Sequence, residues 1–482
     1  MTQSFSTEAV RGTLWSYLSF FSGKLLNFIS TLILARLLVP EQFGLVAYCT
    51  LAIQYLDIIN TAGLDSALIA RKDKLEQAAN AVFITSILLG LASFVISWFS
   101  APFVADFFRQ EEVTDLFRVL SLTLPISSIG LVPGALLRRN LDFRKRVTSD
   151  VGRTLTKGLT SIILALLGWG PWSLVVGQVA GEVAGGIIAW SFARWKPSLA
   201  FDPQVTREVT IFGFHIILVN LAAAFRNNVD YILVGRILGP ESLGIYTMAY
   251  RVPELVIGSI NVVVTSVTFP MLARAQHDFD SLRSVYFGYI RYIALFAYLV
   301  AFGLSLVSRQ FVETFMSAKW SAMILPMSLI AIAFAIRAVA FVPGVLYKAV
   351  GRPDILNRVS LIQLPIVLGL LFYCSRWGIV GVAAGQVALA IINVVIVTVV
   401  INRVLNLRFR EFLESLWPAF VSSVIMIVIV KAFQVNFELS GIAGLLTYAF
   451  IGGATYLGVL GLINREIVKG AFTTLRAAFS RS

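Results

Sequence analysis

Several cationic and amide side chains lie inside long apolar segments of this 482-residue chain. An ionisable group at the centre of a bilayer costs about 3 kcal/mol or more, so such groups usually face a bundle interior or a water-filled cavity. Several cations in one cavity suit an anion that is too large or too hydrophilic to cross a membrane unaided. The candidate substrate-binding residues are Lys24, Asn27, Arg226, Asn227, Arg251, Arg291 and Arg337.

The two halves of the chain place some of these groups similarly. Lys24 and Asn27 are three residues apart and share a helical face. The segment FRNNVDY places Asn227 beside Arg226 at the equivalent position of the second half. Lys24 and Arg337 have no obvious partner nearby in the sequence, which makes them the strongest candidates for contact with an anion.

A structural role remains open for three of the cations. Arg226 lies four residues before Asp230, so the two side chains can neutralise each other on one helical face. Arg251 can pair with Glu254 in the same way. Arg291 can extend its charge to the cytoplasmic interface, which is the favoured interpretation of this residue.

Acidic side chains inside the apolar segments are candidates for coupling transport to an ion, because they can take up H⁺ or Na⁺. The sequence does not choose between the two ions. These candidates are Asp57, Glu182, Asp230 and Glu254. Glu182 also lies among Gly177, Gly181 and Gly185, a ladder of small residues that allows close helix approach, so a structural hydrogen-bonding role is equally open.

Catalysis and metal binding find little support. The only two histidines, His215 and His277, are far apart in the sequence, and Cys49 and Cys374 lack the spacing of a zinc or disulfide site. No Walker A loop is present. We therefore expect a protein that is not an enzyme and has no cofactor and no metal site.

The composition identifies the elements that must position these groups. The chain is 58% hydrophobic and only 13% charged, which is more apolar than soluble domains. Apolar runs of about 20 residues, the length of a membrane-spanning helix, recur from end to end. They predict an all-α polytopic membrane protein with about 14 spans, near 13–37, 43–66, 78–99, 116–137, 150–168, 172–193, 211–235, 243–269, 285–307, 324–347, 358–375, 379–402, 415–433 and 441–463.

Lys and Arg collect in alternate connectors, as in residues 138–146 and 403–410, and this places both termini in the cytoplasm. The same bias supplies most of the net charge of +13, so no nucleic-acid partner is expected. The first residues lack the features of a removable signal peptide, and we expect the first span to stay as a signal anchor.

Three segments that recur in the same order in both halves of the chain indicate an internal duplication. ILARLLVPEQFGL at 33–45 recurs as LVGRILGPESLGI at 233–245, VPG at 132–134 recurs at 342–344, and the WG…GQVA pattern at 169–180 recurs at 377–388. Each copy holds six spans, so the two copies keep the same orientation and form two pseudo-symmetric lobes. The predicted units are residues 1–200, residues 201–410, and two extra helices with a tail at 411–482.

Some of these segments resemble those of a known family. The segments LARLLVPEQFGL, SALIARKD and FVETFMSAKW, and above all the long stretch from Asn227 to Gln276, are similar to those of the Wzx-type polysaccharide flippases, most of all the WzxC branch. The resemblance covers nearly the whole chain and thins over the last two spans.

This resemblance implies a member of the multidrug/oligosaccharidyl-lipid/polysaccharide exporter superfamily. It implies two six-helix lobes around a V-shaped cavity and extra C-terminal helices. The implied substrate is an undecaprenyl-diphosphate-linked oligosaccharide, moved across the bacterial cytoplasmic membrane by alternating access for exopolysaccharide, O-antigen or capsule synthesis. Membrane lipids and the polysaccharide polymerase or chain-length and export machinery are the implied partners.

Two alternatives differ in their chemistry. A multidrug efflux antiporter of the same superfamily would favour an acidic, aromatic pocket for organic cations, whereas the spans here carry deep basic groups. A membrane enzyme that assembles polysaccharide would need a catalytic constellation and larger extramembrane regions, and the outer connectors here are short.

Overall fold

The computed structural model describes residues 23–465, except 62, 72, 199–202, 259–267 and 406–408. All its regular elements are helices, and no strand occurs in these ranges. They are α1 (23–37), α2 (Pro40–Thr61), α3 (Leu64–Ala70), α4 (Leu75–Phe108), α5 (Val113–Leu120), α6 (Thr123–Arg139), α7 (Phe143–Leu166), α8 (Pro171–Ala193), α9 (Pro203–Pro253), α10 (268–275), α11 (Phe279–Phe315), α12 (Ile324–Ala349), α13 (Pro353–Cys374), α14 (Gly378–Leu405), α15 (Phe409–Asn436) and α16 (Gly441–Ile463). A short π-helix, Glu254–Gly258, follows α9, and 3₁₀ helices cover Ala318–Met323 and Ser375–Trp377.

The predicted all-α polytopic fold is confirmed. Within the described ranges, ten segments are long and apolar enough to cross a membrane. Two of these, Ile216–Gly258 and Arg358–Asn402, each cover two predicted spans, so the ten account for twelve of the fourteen. The predicted fifth span lies in α7, whose first half is rich in charge, and only residues 23–37 of the first predicted span are described.

The chain divides into two compact units, which meet in sequence between Gly244 and Ile245. The core of the first unit joins apolar residues of α3, α4 and α6, with Leu64, Leu68 and Val82 fully buried. The core of the second unit is formed mainly by α11 and α12. The lobes expected at 1–200 and 201–410 stay a prediction from the sequence repeat.

The last two helices are held to α11 by side-chain hydrogen bonds as well as by apolar packing. Tyr456 of α16 is fully buried and donates to the carbonyl of Leu295 at 2.9 Å. Gln434 of α15 donates to the carbonyl of Leu306 at 3.1 Å. These bonds use backbone carbonyl oxygens that already accept helical bonds, so they add contact without breaking α11.

The repeated stretch ends one helix and begins the next in both copies, as its Pro-Glu pair predicts. α2 begins at Pro40 with Glu41 in its first turn. In the second copy the helix is interrupted at Gly239, whose φ of 87° is unfavourable for other residues, and it resumes at Pro240.

The two copies of this turn contact each other directly within the first unit. A Cβ atom added to Gly44 would overlap the carbonyl oxygen of Pro240, and one added to Gly244 would overlap the carbonyl oxygen of Pro40. We call these four residues the repeat junction. Its reciprocal geometry explains why both copies have glycine four residues after proline: only a residue without Cβ lets the two backbones approach this closely.

Aromatic side chains surround the repeat junction. Tyr48 of α2 is fully buried, donates to the carbonyl of Gly235 at 2.8 Å, and stacks on Phe108 with ring centroids 4.1 Å apart. The guanidinium of Arg236 lies 5.5 Å from the ring centroid of Phe107. These contacts join α2 and the C-terminal end of α4 to the part of α9 just before Gly239.

We predict that Gly44→Ala destabilises the protein by about 1–3 kcal/mol, because the added methyl group must displace the Pro240 backbone. The melting temperature of the purified protein in detergent should fall by several degrees. Gly134→Ala is the matched control, since a Cβ added at that helical glycine would meet no atom within 4 Å. Equal melting temperatures for the two variants would contradict the close approach at the repeat junction.

Candidate functional site

Arg337 lies half-buried in α12 and is held by side chains from two other helices. Its Nη1 atom donates to the hydroxyl of Tyr250 at 2.7 Å, and its Nη2 atom donates to Oε1 of Gln386. Its Cζ atom lies 6.0 Å from the ring centroid of Phe334. The guanidinium therefore has hydrogen-bonded contacts on two different nitrogens, which restricts the orientation of its plane.

A second layer of contacts holds these partners in place. Gln386 is buried and its Nε2 atom donates to the hydroxyl of Tyr246 at 3.0 Å. The rings of Tyr246 and Tyr250 are 5.4 Å apart, and the ring of Tyr250 meets Phe334 edge-on at the same distance. We call these five residues, Arg337 included, the arginine network.

Small residues are buried in α12 and α14, two of the helices that carry the arginine network. Ala333, Ala335 and Ala338 of α12 are fully buried. In α14, an added Cβ at Gly385 would lie 3.2 Å from Cys374, so this helix packs closely on α13 while the next residue, Gln386, contacts α12. Tyr246 and Tyr250 are four residues apart, and both therefore present their side chains on one face of α9.

Sequence reasoning identified Arg337 but missed its neighbours. Arg337 was predicted to have no local partner, and its partners Tyr250 and Gln386 are 87 and 49 residues away in the chain. Gln386 carried a signal, because it is one of the residues repeated from the first half, where its counterpart is Gln178. Tyr246 and Tyr250 carried no such signal in the sequence, because aromatic residues are common in membrane spans.

The other predicted cationic and amide residues lie on several helices. Lys24 and Asn27 are half-buried on α1, and the carbonyl of Asn27 accepts a hydrogen bond from Thr31. Arg251 is half-buried at the end of α9. The remaining three, on α9 and α11, are exposed: Arg226, Asn227 and Arg291. The role of all six in binding stays a prediction.

Glu182, a predicted ion-coupling residue, lies in an interhelical ion pair. Its Oε2 atom is 3.3 Å from Nη1 of Arg153 in α7, and Gln178 donates to its Oε1 atom at 3.4 Å. Arg153 is also within electrostatic range of Asp57 in α2. The structure thus brings together two of the four predicted ion-coupling residues around one cation, and their role in coupling stays a prediction.

The predicted glycine ladder on α8 forms the interface with α7. An added Cβ would overlap atoms of α7 at each of the three glycines, Gly177, Gly181 and Gly185. Close approach of two helices lets short polar groups meet across the interface, and Ser149 accordingly donates to the carbonyl of Gly185 at 2.8 Å. The ladder therefore positions Glu182 against Arg153.

The other two acidic candidates differ in burial. Asp230 is buried, and its Oδ1 atom accepts from the backbone N–H of Tyr231 at 3.0 Å. Glu254 is exposed in the short π-helix that follows α9. In the described part of the chain, no cluster of three His, Cys, Asp or Glu residues could hold a metal ion.

Comparisons with known proteins agree on one family. A sequence model described as "Polysaccharide biosynthesis protein" matches residues 33–325, more than half of the chain. The teichuronic acid biosynthesis protein TuaB of Bacillus subtilis is 25% identical, over 93% of this chain and 96% of that protein. The lipopolysaccharide biosynthesis protein WzxC of Escherichia coli is 23% identical, over 88% of this chain and 87% of that protein. The succinoglycan biosynthesis transport protein ExoT of Rhizobium meliloti is 24% identical, over 100% of this chain and 99% of that protein.

Solved structures show the fold. The lipid II flippase MurJ in its inward closed conformation superposes with a TM-score of 0.75 at 16% identity, covering 94% of this chain and 100% of that one. An inward-facing multidrug resistance MATE transporter of the MOP superfamily superposes with a TM-score of 0.60 at 17% identity, covering 79% of this chain and 95% of that one. The polytopic all-α transporter fold implied by the resemblance is therefore confirmed.

We predict that Arg153 and Glu182 are energetically coupled. Removal of Arg153 leaves the carboxylate of Glu182, whose side chain is only 12% exposed, without its ion-pair partner, whereas removal of both side chains does not. A double-mutant cycle of Arg153→Ala and Glu182→Ala, read by the free energy of unfolding in detergent, should give a coupling of about 0.5–1.5 kcal/mol.

The pair Arg309 and Glu313 provides the control for this cycle. It lies along one helix with both side chains largely exposed, at 73% and 58%, and should give a coupling of about 0.5 kcal/mol or less. Additive effects of the two substitutions at Arg153 and Glu182 would show that the ion pair contributes nothing to stability.

Proposed function

The chain belongs to the polysaccharide biosynthesis protein family, and we propose that it is a flippase for polyprenyl-diphosphate-linked oligosaccharides. It carries the sugar headgroup from the cytoplasmic to the outer leaflet of a bacterial cytoplasmic membrane, with the polyprenyl chain remaining in the lipid. Undecaprenyl diphosphate is the carrier that the resemblance implies. Teichuronic acid, lipopolysaccharide and succinoglycan biosynthesis in the names of its relatives support a substrate of this class.

The observation that carries the proposal is Arg337 in the arginine network. A guanidinium presents five N–H donors in a planar fork that matches the geometry of phosphate oxygens. Tyr250 and Gln386 hold this fork in one orientation before a ligand arrives, which lowers the entropy lost on binding. Both of these acceptors are neutral groups, so these two contacts orient the cation through hydrogen bonds and not through a countercharge. A diphosphate is the anion that such a donor suits best.

The proposed mechanism is alternating access of the two predicted lobes, residues 1–200 and 201–410. Parallel six-span repeats suit rocking of one bundle against the other around a shared site. The substrate can drive this change only through different affinities for the two states. The other predicted cations, Lys24 first among them, are proposed to contact the headgroup during this cycle.

A multidrug antiporter remains the alternative, because the MATE fold is also similar. Its substrates are expected to be organic cations, and a guanidinium inside the spans would repel them. A competition experiment separates the two functions: a flippase should bind the glycolipid, and lipophilic cations should not displace it. The polysaccharide polymerase and the export machinery are proposed partners that depend on the same assignment, whereas the cytoplasmic location of both termini is proposed from the Lys and Arg bias of the connectors.

We predict that loss of the Arg337 cation slows flipping. In cells that lack the protein, the diphosphate-linked oligosaccharide should accumulate on the cytoplasmic face, as measured by leaflet-resolved labelling. Arg337→Ala should restore outer-face labelling at about a tenth or less of the wild-type rate, since one charge-assisted contact contributes about 1.5–3 kcal/mol. Arg337→Lys keeps the positive charge but loses the planar fork of donors, so its rate should lie between those of the wild type and Arg337→Ala.

Arg410→Ala is the matched control. Arg410 is 88% exposed and pairs with Glu414 along α15, so its removal should leave the rate unchanged. If the glycolipid reaches the outer face equally well without the protein, the flippase assignment fails. Drug efflux then becomes the function to test.

We also propose that H⁺ or Na⁺ resets the cycle through the acidic residues, with Asp57 and Glu182 first and Asp230 and Glu254 as the other candidates. Collapse of the coupling gradient in vesicles should slow transport. Asp57→Asn should leave a slow transport that no longer responds to that gradient, because the amide cannot exchange a proton or hold Na⁺ as a carboxylate does. Transport that is unaffected by collapse of both gradients would rule out ion coupling.

A further inference from the structure

We infer that Gln386 is a positioning residue for substrate binding: it fixes the Arg337 guanidinium so that it can receive the diphosphate of the glycolipid. This inference rests on the proposed function and extends it to a residue outside the predicted cationic set. Gln386 acts through Arg337, and Tyr246 acts in turn through Gln386.

The hydrogen bonds of Gln386 determine which end of its amide faces the cation. Its Nε2 atom donates to the hydroxyl of Tyr246, so its Oε1 atom must face Arg337. Gln386 is only 3% exposed, and Tyr246 is fully buried. A buried amide whose two ends both have partners has one favourable orientation, because a flip would leave a donor facing a donor at Arg337.

A long cationic side chain in a membrane helix would otherwise extend toward the nearest interface. Arg337 is prevented from doing so by contacts on two different nitrogens, one to α9 through Tyr250 and one to α14 through Gln386. The two contacts come from separate helices, so they hold the guanidinium plane as well as its position. Removal of either contact should therefore loosen the orientation of the guanidinium.

The internal repeat supports a specific role for this glutamine. Its counterpart Gln178 also contacts a charged group, since it donates to Glu182, which pairs with Arg153. The same repeat position therefore orients charge in both units. In the first unit that charge is an ion pair, whereas in the second it is the guanidinium itself.

The counterpart of Arg337 shows that the cation belongs to one copy only. Arg337 lies five residues before the Val342 of the repeated VPG, and Ser127 lies five residues before Val132. Ser127 accepts a hydrogen bond from Asn60 at 3.1 Å, so a hydroxyl and an amide occupy this level of the first unit. The arginine network is thus specific to the second copy and is not required by the repeated fold itself.

The decisive variant is Gln386→Glu, because it separates positioning from packing. A carboxylate has nearly the same size and still accepts from Arg337, so the melting temperature should stay within a few degrees of the wild type. The negative charge of this carboxylate would pair with the Arg337 guanidinium and weaken the attraction between that guanidinium and the diphosphate. The affinity of the full-length purified protein for undecaprenyl diphosphate should therefore fall by about tenfold or more.

Two further variants test the positioning role itself. Gln386→Met removes the acceptor at similar volume and should weaken undecaprenyl diphosphate binding severalfold. Tyr246→Phe removes the hydroxyl that orients the amide and should give a smaller loss. Gln363→Glu is the control, since this half-buried glutamine on α13 pairs with Asn393 and should leave the affinity unchanged.

The outcomes separate the inference from the proposed function. If Arg337→Ala abolishes binding while all Gln386 variants bind like the wild type, the proposed function stands and the positioning role is overturned. If Gln386→Glu loses melting temperature and affinity together, and Gln386→Met does the same, the residue is structural and the inference fails. A wild-type protein without affinity for undecaprenyl diphosphate overturns both.

Discussion

Polar side chains inside apolar helices must find partners there, and this constraint organises the first unit as well as the second. Asn60 of α2 is fully buried and uses both ends of its amide. It donates to the carbonyl of Leu124 and the hydroxyl of Ser127, each at 3.1 Å, and accepts from Ser128 at 2.7 Å. These bonds fix the distance between α2 and α6, and they require a glycine at position 90 of α4, because a Cβ there would overlap Ser128. One satisfied amide thus sets the packing of three helices.

Much of this architecture could be predicted from the sequence. Length and hydropathy identify the spans, and the Pro-Glu pair at 40–41 marks the start of a helix that begins there in the structure. What could not be predicted is which turns meet. The contact of Gly44 with Pro240 depends on two segments about two hundred residues apart, and a glycine by itself does not reveal whether it lies against a backbone, as Gly44 does, or in open space, as Gly134 does.

The candidate site, like the fold, could be predicted from the sequence only in part. A cation inside an apolar segment is visible in the sequence, because few residue types are so costly at that depth. Arg337 was therefore identified, whereas Tyr246, Tyr250 and Gln386 were not. Their importance comes from meeting Arg337 across three helices, and that depends on packing between α9, α12 and α14. The ladder around Glu182 was recognised in advance because its spacing of four lies within one helix, where sequence and geometry coincide.

The guanidinium groups of Arg153 and Arg337 are held by different chemistry, and the difference bears on what each can do. Arg153 faces the carboxylate of Glu182 at 3.3 Å, and an ion pair of this kind lowers the net charge available to any third group. Arg337 instead donates to an amide oxygen and a hydroxyl, which accept hydrogen bonds without carrying charge. A cation that must hold an anion only briefly, and then release it on the other side, benefits from partners that keep it oriented in both states. Neutral acceptors provide this, because they neither compete with the anion for charge nor leave the guanidinium without hydrogen bonds after the anion departs.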